Sequence, residues 1–216
     1  MLERRHDVRK RSAPMRLAVF ASGGGSNFEA ICRAVEAGRL DAEVVLCLAD
    51  RLNAGVLERA TTRGIPTIVL RRKDFPDDAS FASRTVRALD ETGANFVALA
   101  GYLKRVPPAV VARFTGRMTN IHPALLPDFG GPGMYGEHVH RAVLESGARE
   151  SGATVHLVDD DYDSGSIIAQ RRVTVRADDT PETLARRVLA IEHDLYPDVL
   201  QRFAREMDKQ KANHEP

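Results

Sequence analysis

Apolar residues in this chain fall in short dense runs, separated by stretches with helical spacing, and the two textures alternate from residue 16 onward. This is the pattern of βαβ units, in which doubly buried parallel strands read as continuous apolar runs and the crossing helices carry an apolar stripe. Strands are expected over 16–21 (RLAVFA), 43–49 (EVVLCLA), 67–70, 96–100 (FVALA) and 118–121. Helices are expected over 27–37, stopped by Gly38; over 55–63, ended by Gly64 and Pro66; and over 78–92, stopped by Gly93. Pro107 and Pro108 open a further short helix in the first-turn position, where a missing N–H costs least. The predicted fold class is a doubly wound, mostly parallel α/β sheet with its ligands at the strand ends.

After His122 the texture changes. Pro123, Pro127, Gly130, Gly131, Pro132, Gly133 and Gly136 crowd a loop too long for a plain connector, and such loops are usually functional. A helix over about 137–146 precedes two β-rich runs, 153–158 and 167–175, separated by an acidic turn over 159–165. The last helix starts at the cap pair Thr180 and Pro181 and is expected to run to about Met207. The expected organisation is a leader over 1–15, one domain over 16–207 and a polar tail over 208–216.

Composition narrows the function. With 216 residues, 43% of them hydrophobic, the chain has enough for one domain with a substantial core. Lysine and arginine total 31 against 30 acids, a net +1, so no global charge draws it to nucleic acid or an anionic membrane. The first sixteen residues hold six basic side chains, Arg4, Arg5, Arg9, Lys10, Arg11 and Arg16, against Glu3 and Asp7. That local excess of four leaves residues 17–216 at −3, given the total of +1. A solvated, disordered leader is the expectation, since a presequence of mitochondrial type lacks acids. No apolar run approaches the roughly 18 residues of a membrane span. Cys32 and Cys47 have no metal-ligand or disulfide-scaffold spacing, which suits a reducing, cytoplasmic setting. A monomer and a homodimer both remain open.

Two constellations carry chemistry. Ser22-Gly23-Gly24-Gly25-Ser26-Asn27 joins the first strand to the first helix, and a glycine-rich turn there lets backbone N–H groups and the helix dipole meet a phosphate. The loop lacks the Gly-Lys-Ser/Thr ending of a Walker loop, and Phe28 stands where a dinucleotide fingerprint needs glycine, so a monophosphate fits better than a pyrophosphate. A plain strand-to-helix turn is the alternative reading. Asn120 and His122, two apart at a strand end, point to the same side. Asp163 in the acidic turn is the possible third member, with Asp159, Asp160 and Asp161 as solvated competitors.

An amide donor, an imidazole and a carboxylate suit acyl-type transfer to an amine. The amide N–H can stabilise a tetrahedral oxyanion, the imidazole can move the proton, and the carboxylate can fix the imidazole's charge or position a relay water. No metal is required. His138 and His140, two apart on a helix, diverge around its axis and would not share one.

Five motifs, SGGGSN at 22–27, AGYLK at 100–104, NIHPALLP at 120–127, SGATVH at 151–156 and DYDSG at 161–165, resemble in order and approximate spacing the glycinamide ribonucleotide formyltransferases. The resemblance covers about residues 16–205. It implies a Rossmann-like formyltransferase fold, with an N-terminal mononucleotide-binding half and a C-terminal half carrying the folate site. The implied reaction moves the formyl group of 10-formyltetrahydrofolate to the amine of 5-phosphoribosylglycinamide (GAR) in de novo purine biosynthesis. By motif match Asn120, His122 and Asp163 are the catalytic trio, and Gly25, Ser26 and Asn27 hold the substrate phosphate. Glu192 meets the glycinamide substrate, while Leu103, Lys104, Arg105, Val106, Asn120, His156, Val158 and Asp163 border the folate. The loop after Pro127 is longer and richer in glycine than the common Pro-Gly-Leu-His form, so contacts from Met134 to His140 do not transfer. Arg105 stands where many relatives are aliphatic, which leaves open whether Lys104 or Arg105 faces the folate.

Three other readings share parts of this pattern. A methionyl-tRNA formyltransferase has the same strand end but adds a C-terminal domain and calls for a basic surface. A formyltetrahydrofolate hydrolase would not need the loop at 22–27. A non-catalytic phosphosugar- or nucleotide-binding module would not need the trio.

Overall fold

The computed structural model describes residues 14–212; most of the expected leader, residues 1–13, and the end of the expected tail, residues 213–216, lie outside the described residues. Seven strands form one sheet in the order β3-β2-β1-β4-β5-β6-β7. They are β1 (Met15–Ala21), β2 (Ala42–Ala49), β3 (Thr67–Val69), β4 (Phe96–Leu99), β5 (Met118–His122), β6 (Glu150–Leu157) and β7 (Ile167–Thr174). The helices are α1 (Ser26–Glu36), α2 (Gly55–Thr62), α3 (Asp78–Glu91), α4 (Pro108–Arg113), α5 (Glu137–Glu145) and α6 (Pro181–Ala212). Strands β1 to β5 pair in parallel, and β6 and β7 add on antiparallel. The expected doubly wound, mostly parallel α/β class is the one observed.

The alternation within β1 shows why both faces are covered. Leu17, Val19 and Ala21 pack with Phe28 and Ile31 of α1 and with Leu195 and Val199 of α6. Ala18 and Phe20 point to the opposite face, against Phe81 and Leu89 of α3 and Val110 of α4. A fully buried Phe20, Phe28 or Phe96 typically costs about 3–5 kcal/mol on truncation to alanine. α3 is started by Asp77, whose carboxylate accepts the Ser80 N–H at 2.7 Å.

The chain winds outward from β1 through β2 to β3, then returns through α3 to β4 on the other side of β1. Strand order therefore reverses between β1 and β4, and the loops leaving them splay apart to open a crevice. The glycine loop follows β1, residues 100–107 follow β4, and His122 closes β5.

Two boundaries differ from expectation by three residues or more, and one short element is new, each for a local reason. β6 starts at Glu150, not 153, because Gly152 is a strand residue: a Cβ there would lie 2.1 Å from the Arg171 carbonyl oxygen. α6 continues past Met207 to Ala212, since the apolar stripe ends but the residues that follow are good helix formers. Arg72–Asp74 forms a single 3₁₀ turn that periodicity could not show.

Candidate active site

Register brings the site together. β5 and β6 pair so that Asn120 lies opposite His156, and the β6–β7 turn folds back to carry Asp163 to both. Asn120 Nδ2 lies 3.1 Å from His156 Nε2 and 3.4 Å from Asp163 Oδ1. His122 Nδ1 lies 3.5 Å from Asp163 Oδ2, and its Nε2 lies 2.8 Å from the Phe129 carbonyl oxygen. A carbonyl only accepts, so His122 carries a proton on Nε2, and in the neutral ring Nδ1 is the free base facing Asp163. The same logic places a proton on His156 Nδ1, which donates to the Leu157 carbonyl at 2.7 Å, and leaves Nε2 to accept from Asn120.

Left-handed backbone in the long loop and in the β6–β7 turn holds this arrangement. Phe129 and Asp163 both adopt left-handed backbone, at φ 56° and φ 54°, although neither is glycine. Asp163 is fixed by the Gly131 N–H, which donates to Oδ2 at 2.9 Å. Gly130 has no room for a side chain, as a Cβ would lie 2.6 Å from Leu126 Cδ2 and 3.3 Å from Asp163 Cβ.

Electrostatics separate the trio. Burial holds the His122 imidazole below its ordinary range and outweighs the opposing pull of Asp163. Burial pushes Asp163 up, but the neighbouring His156 and His122 rings and the Gly131 N–H outweigh it and keep the carboxyl below its usual range. The pair at rest is therefore a neutral base beside a carboxylate.

A cavity of about 730 Å³ opens over the trio. Of the residues expected at a site, Asn120, His122, His156, Asp163, Asn27 and Glu192 all reach its wall, as do the pocket residues 103–106 and Val158. Gly25 and Ser26 do not line it; Gly25 sits behind, as the left-handed N-cap of α1. Asn27 Nδ2 donates to Glu192 Oε2 at 2.6 Å, joining the glycine loop to α6. Glu192 is 6% exposed, and burial pushes its carboxyl up to about 7 despite that bond. Arg105 bonds the Asp160 carbonyl and lies 3.8 Å from Asp161, tying the β4–α4 loop to the β6–β7 turn.

The formyl transferase family matches residues 15–200. The chain belongs to the formyl transferase family. It is 47% identical to the chloroplastic phosphoribosylglycinamide formyltransferase of Arabidopsis thaliana over 98% of this chain and 71% of that protein. It is 40% identical to the trifunctional purine biosynthetic protein adenosine-3 of Drosophila pseudoobscura pseudoobscura, over 86% of this chain but 13% of that longer protein. The crystal structure of phosphoribosylglycinamide formyltransferase from Brucella melitensis superposes with a TM-score of 0.81 at 44% identity, covering 88% of this chain and 96% of that one.

Sequence reasoning missed part of this formyl transferase site. Residues 131–137 and His140 reach the cavity wall, and His140 is buried with no partner for Nδ1 among the described residues. His138, two residues earlier, is exposed, so the pair diverges around α5. The crowding of glycine and proline signalled a functional loop but not which side chain would turn inward.

Proposed function

We propose that this formyl transferase moves the formyl group of 10-formyltetrahydrofolate to the amine of GAR, a step of de novo purine biosynthesis. The observation that carries the reading is that one cavity is lined by two half-sites, the trio and the bonded Asn27 and Glu192. A hydrolase would need only the first half. A cavity of about 730 Å³ suits a cofactor-sized molecule. Leu103, Val106 and Val158 offer apolar walls to the folate rings, and Asn120 and Asp163 offer hydrogen bonds. A second cavity of about 1080 Å³ shares Lys104 and Arg105 with the first and is lined by Arg71, Arg72 and Lys73. It gives the acidic end of the folate a basic exit in which both Lys104 and Arg105 take part.

In this reading the N–H groups of Gly25, Ser26 and Asn27, at the start of α1, hold the phosphate, and Glu192 receives the glycinamide end. His122, neutral at rest, takes the proton of the attacking amine on Nδ1. The resulting imidazolium lies between the Asp163 carboxylate and the Phe129 carbonyl, both of which favour its charge. From there the proton passes to the leaving folate nitrogen. Asn120 stabilises the formyl oxygen as charge develops on it. One of its N–H bonds serves His156, and the other, only loosely held at 3.4 Å from Asp163, is free to turn to the oxyanion.

One catalytic domain over 16–207 fits the single seven-stranded sheet that the described residues form. Cys32 and Cys47 are free and buried, with thiols pushed up to about 12 by burial, so the fold uses no disulfide and suits a reducing cytoplasm. No helix among the described residues is long and apolar enough to cross a membrane. The reading is tested by incubating the protein with both substrates and identifying the product by mass spectrometry. Formyl-GAR is expected; unmodified GAR beside consumed donor would contradict it.

A further inference from the structure

We infer that Arg59 is a positioning residue for the substrate phosphate, acting through the Gly24–Gly25 peptide and not by touching the ligand. The inference rests on the proposed phosphate role of the glycine loop.

A trans peptide is planar, so its C=O and N–H point in opposite directions. Whatever holds the carbonyl therefore aims the N–H of the next residue. In the glycine loop the carbonyls of Gly23 and Gly24 are claimed by α2, which lies behind it. Val56 N–H donates to the Gly23 carbonyl at 3.1 Å, and Arg59 Nε donates to the Gly24 carbonyl at 2.7 Å. The first bond fixes the Gly24 N–H and the second fixes the Gly25 N–H, both away from α2. The Gly25 carbonyl accepts the Glu29 N–H at 2.9 Å, starting α1 and directing the Ser26 N–H. The N–H groups of Ser26 and Asn27, in the first turn, have no carbonyl one turn earlier to accept them.

Close packing leaves the loop little alternative. A Cβ added to Gly55 would lie 3.3 Å from the Gly24 Cα, and one on Gly25 would lie 2.7 Å from Val56. On the other side Ser22 accepts the Leu103 N–H at 2.9 Å, and its own N–H donates to the Gly101 carbonyl at 2.9 Å. Three flexible glycines are thus held from both sides, and Arg59 is the one side chain bonded to their carbonyls among the described residues. Its Nη1 also lies 3.5 Å from Glu29, which Arg33 and Arg63 hold at 2.9 Å and 2.6 Å. The longer ion pair with Glu29 leaves the Nε donor on the loop. Arg59 also places a positive charge directly behind the phosphate position.

Titration calorimetry with ribose 5-phosphate, without formyl donor, tests the inference independently of catalysis. Arg59→Met keeps the aliphatic stem and is expected to weaken ribose 5-phosphate binding about tenfold or more, as for loss of a charge-assisted hydrogen bond. The KM for GAR should rise in parallel while kcat and the KM for the formyl donor stay near wild type, and Arg59→Lys should recover part of the loss. Glu29→Gln, which breaks the ion pair and spares the Gly24 contact, should bind within about twofold of wild type. Wild-type ribose 5-phosphate binding in Arg59→Met would overturn the inference, as would an equal loss in Glu29→Gln. If the methionine variant does not fold, Arg59→Lys decides alone: weakened phosphate binding supports the role and unchanged binding refutes it. Wild-type protein that binds ribose 5-phosphate yet never formylates GAR would instead sink the proposed reaction and leave the loop inference standing.

Discussion

Asn27 and Glu192 stand 165 positions apart and share a 2.6 Å hydrogen bond in the wall of the cavity, so the first helix and the last are tied together there. The bond also exposes a cost. Burial raises the Glu192 carboxyl to about 7, so between its ordinary range and neutral pH the folded protein keeps a proton that the unfolded chain has released. Stability should therefore fall as pH rises through that window, by on the order of a few kcal/mol. Glu192→Gln should flatten this slope and raise the denaturation midpoint near pH 7, while GAR binding weakens. Urea titrations of both proteins at pH 5 and pH 7.5 check it; parallel pH dependence would refute the assignment.

His122→Ala should lower formyl transfer at least about a hundredfold, the range of general acid–base groups, while ribose 5-phosphate still binds. Steady-state kinetics and calorimetry on one preparation separate the two effects. Normal turnover would remove His122 from the mechanism.

Asp163→Asn should lower kcat and change its pH profile in a direction fixed by the electrostatics. Burial already lowers His122, and Asp163 is the group that opposes it. Without the carboxylate the acid limb of kcat should move to lower pH, because His122 loses its proton more readily. Movement to higher pH would contradict the assigned pairing.

Gly25→Ala places a side chain on a left-handed residue, φ 76°, with its Cβ 2.7 Å from Val56. The variant should lose about 1–3 kcal/mol of stability. Its KM for GAR should rise while the KM for the formyl donor does not, as kinetics with each substrate varied in turn would show.

The sheet was legible because its strands are buried on both faces and its helices are punctuated by glycine and proline, so 43–49 and 96–100 announced themselves. The start of β6 at Glu150 was not legible, since Gly152, packed close to the Arg171 carbonyl, adds no apolar signal to the run. Of the site, Asn120 and His122 were visible as a pair because a strand has period two. Asp163 was reachable only as one of several acids, and the bond between Asn27 and Glu192 depends on α6 packing beside α1, which no local pattern carries. His140 and Arg59 escaped for the same reason: a buried histidine on an amphipathic helix and an arginine on a surface helix look ordinary until tertiary structure shows what they face.

The most direct test of the account follows consumption of 10-formyltetrahydrofolate by the purified protein, with and without GAR. The two half-sites predict that the donor is consumed only when GAR is present, with one formyl-GAR formed for each donor lost. Donor consumption at the same rate without GAR would show water as the acceptor and contradict the account.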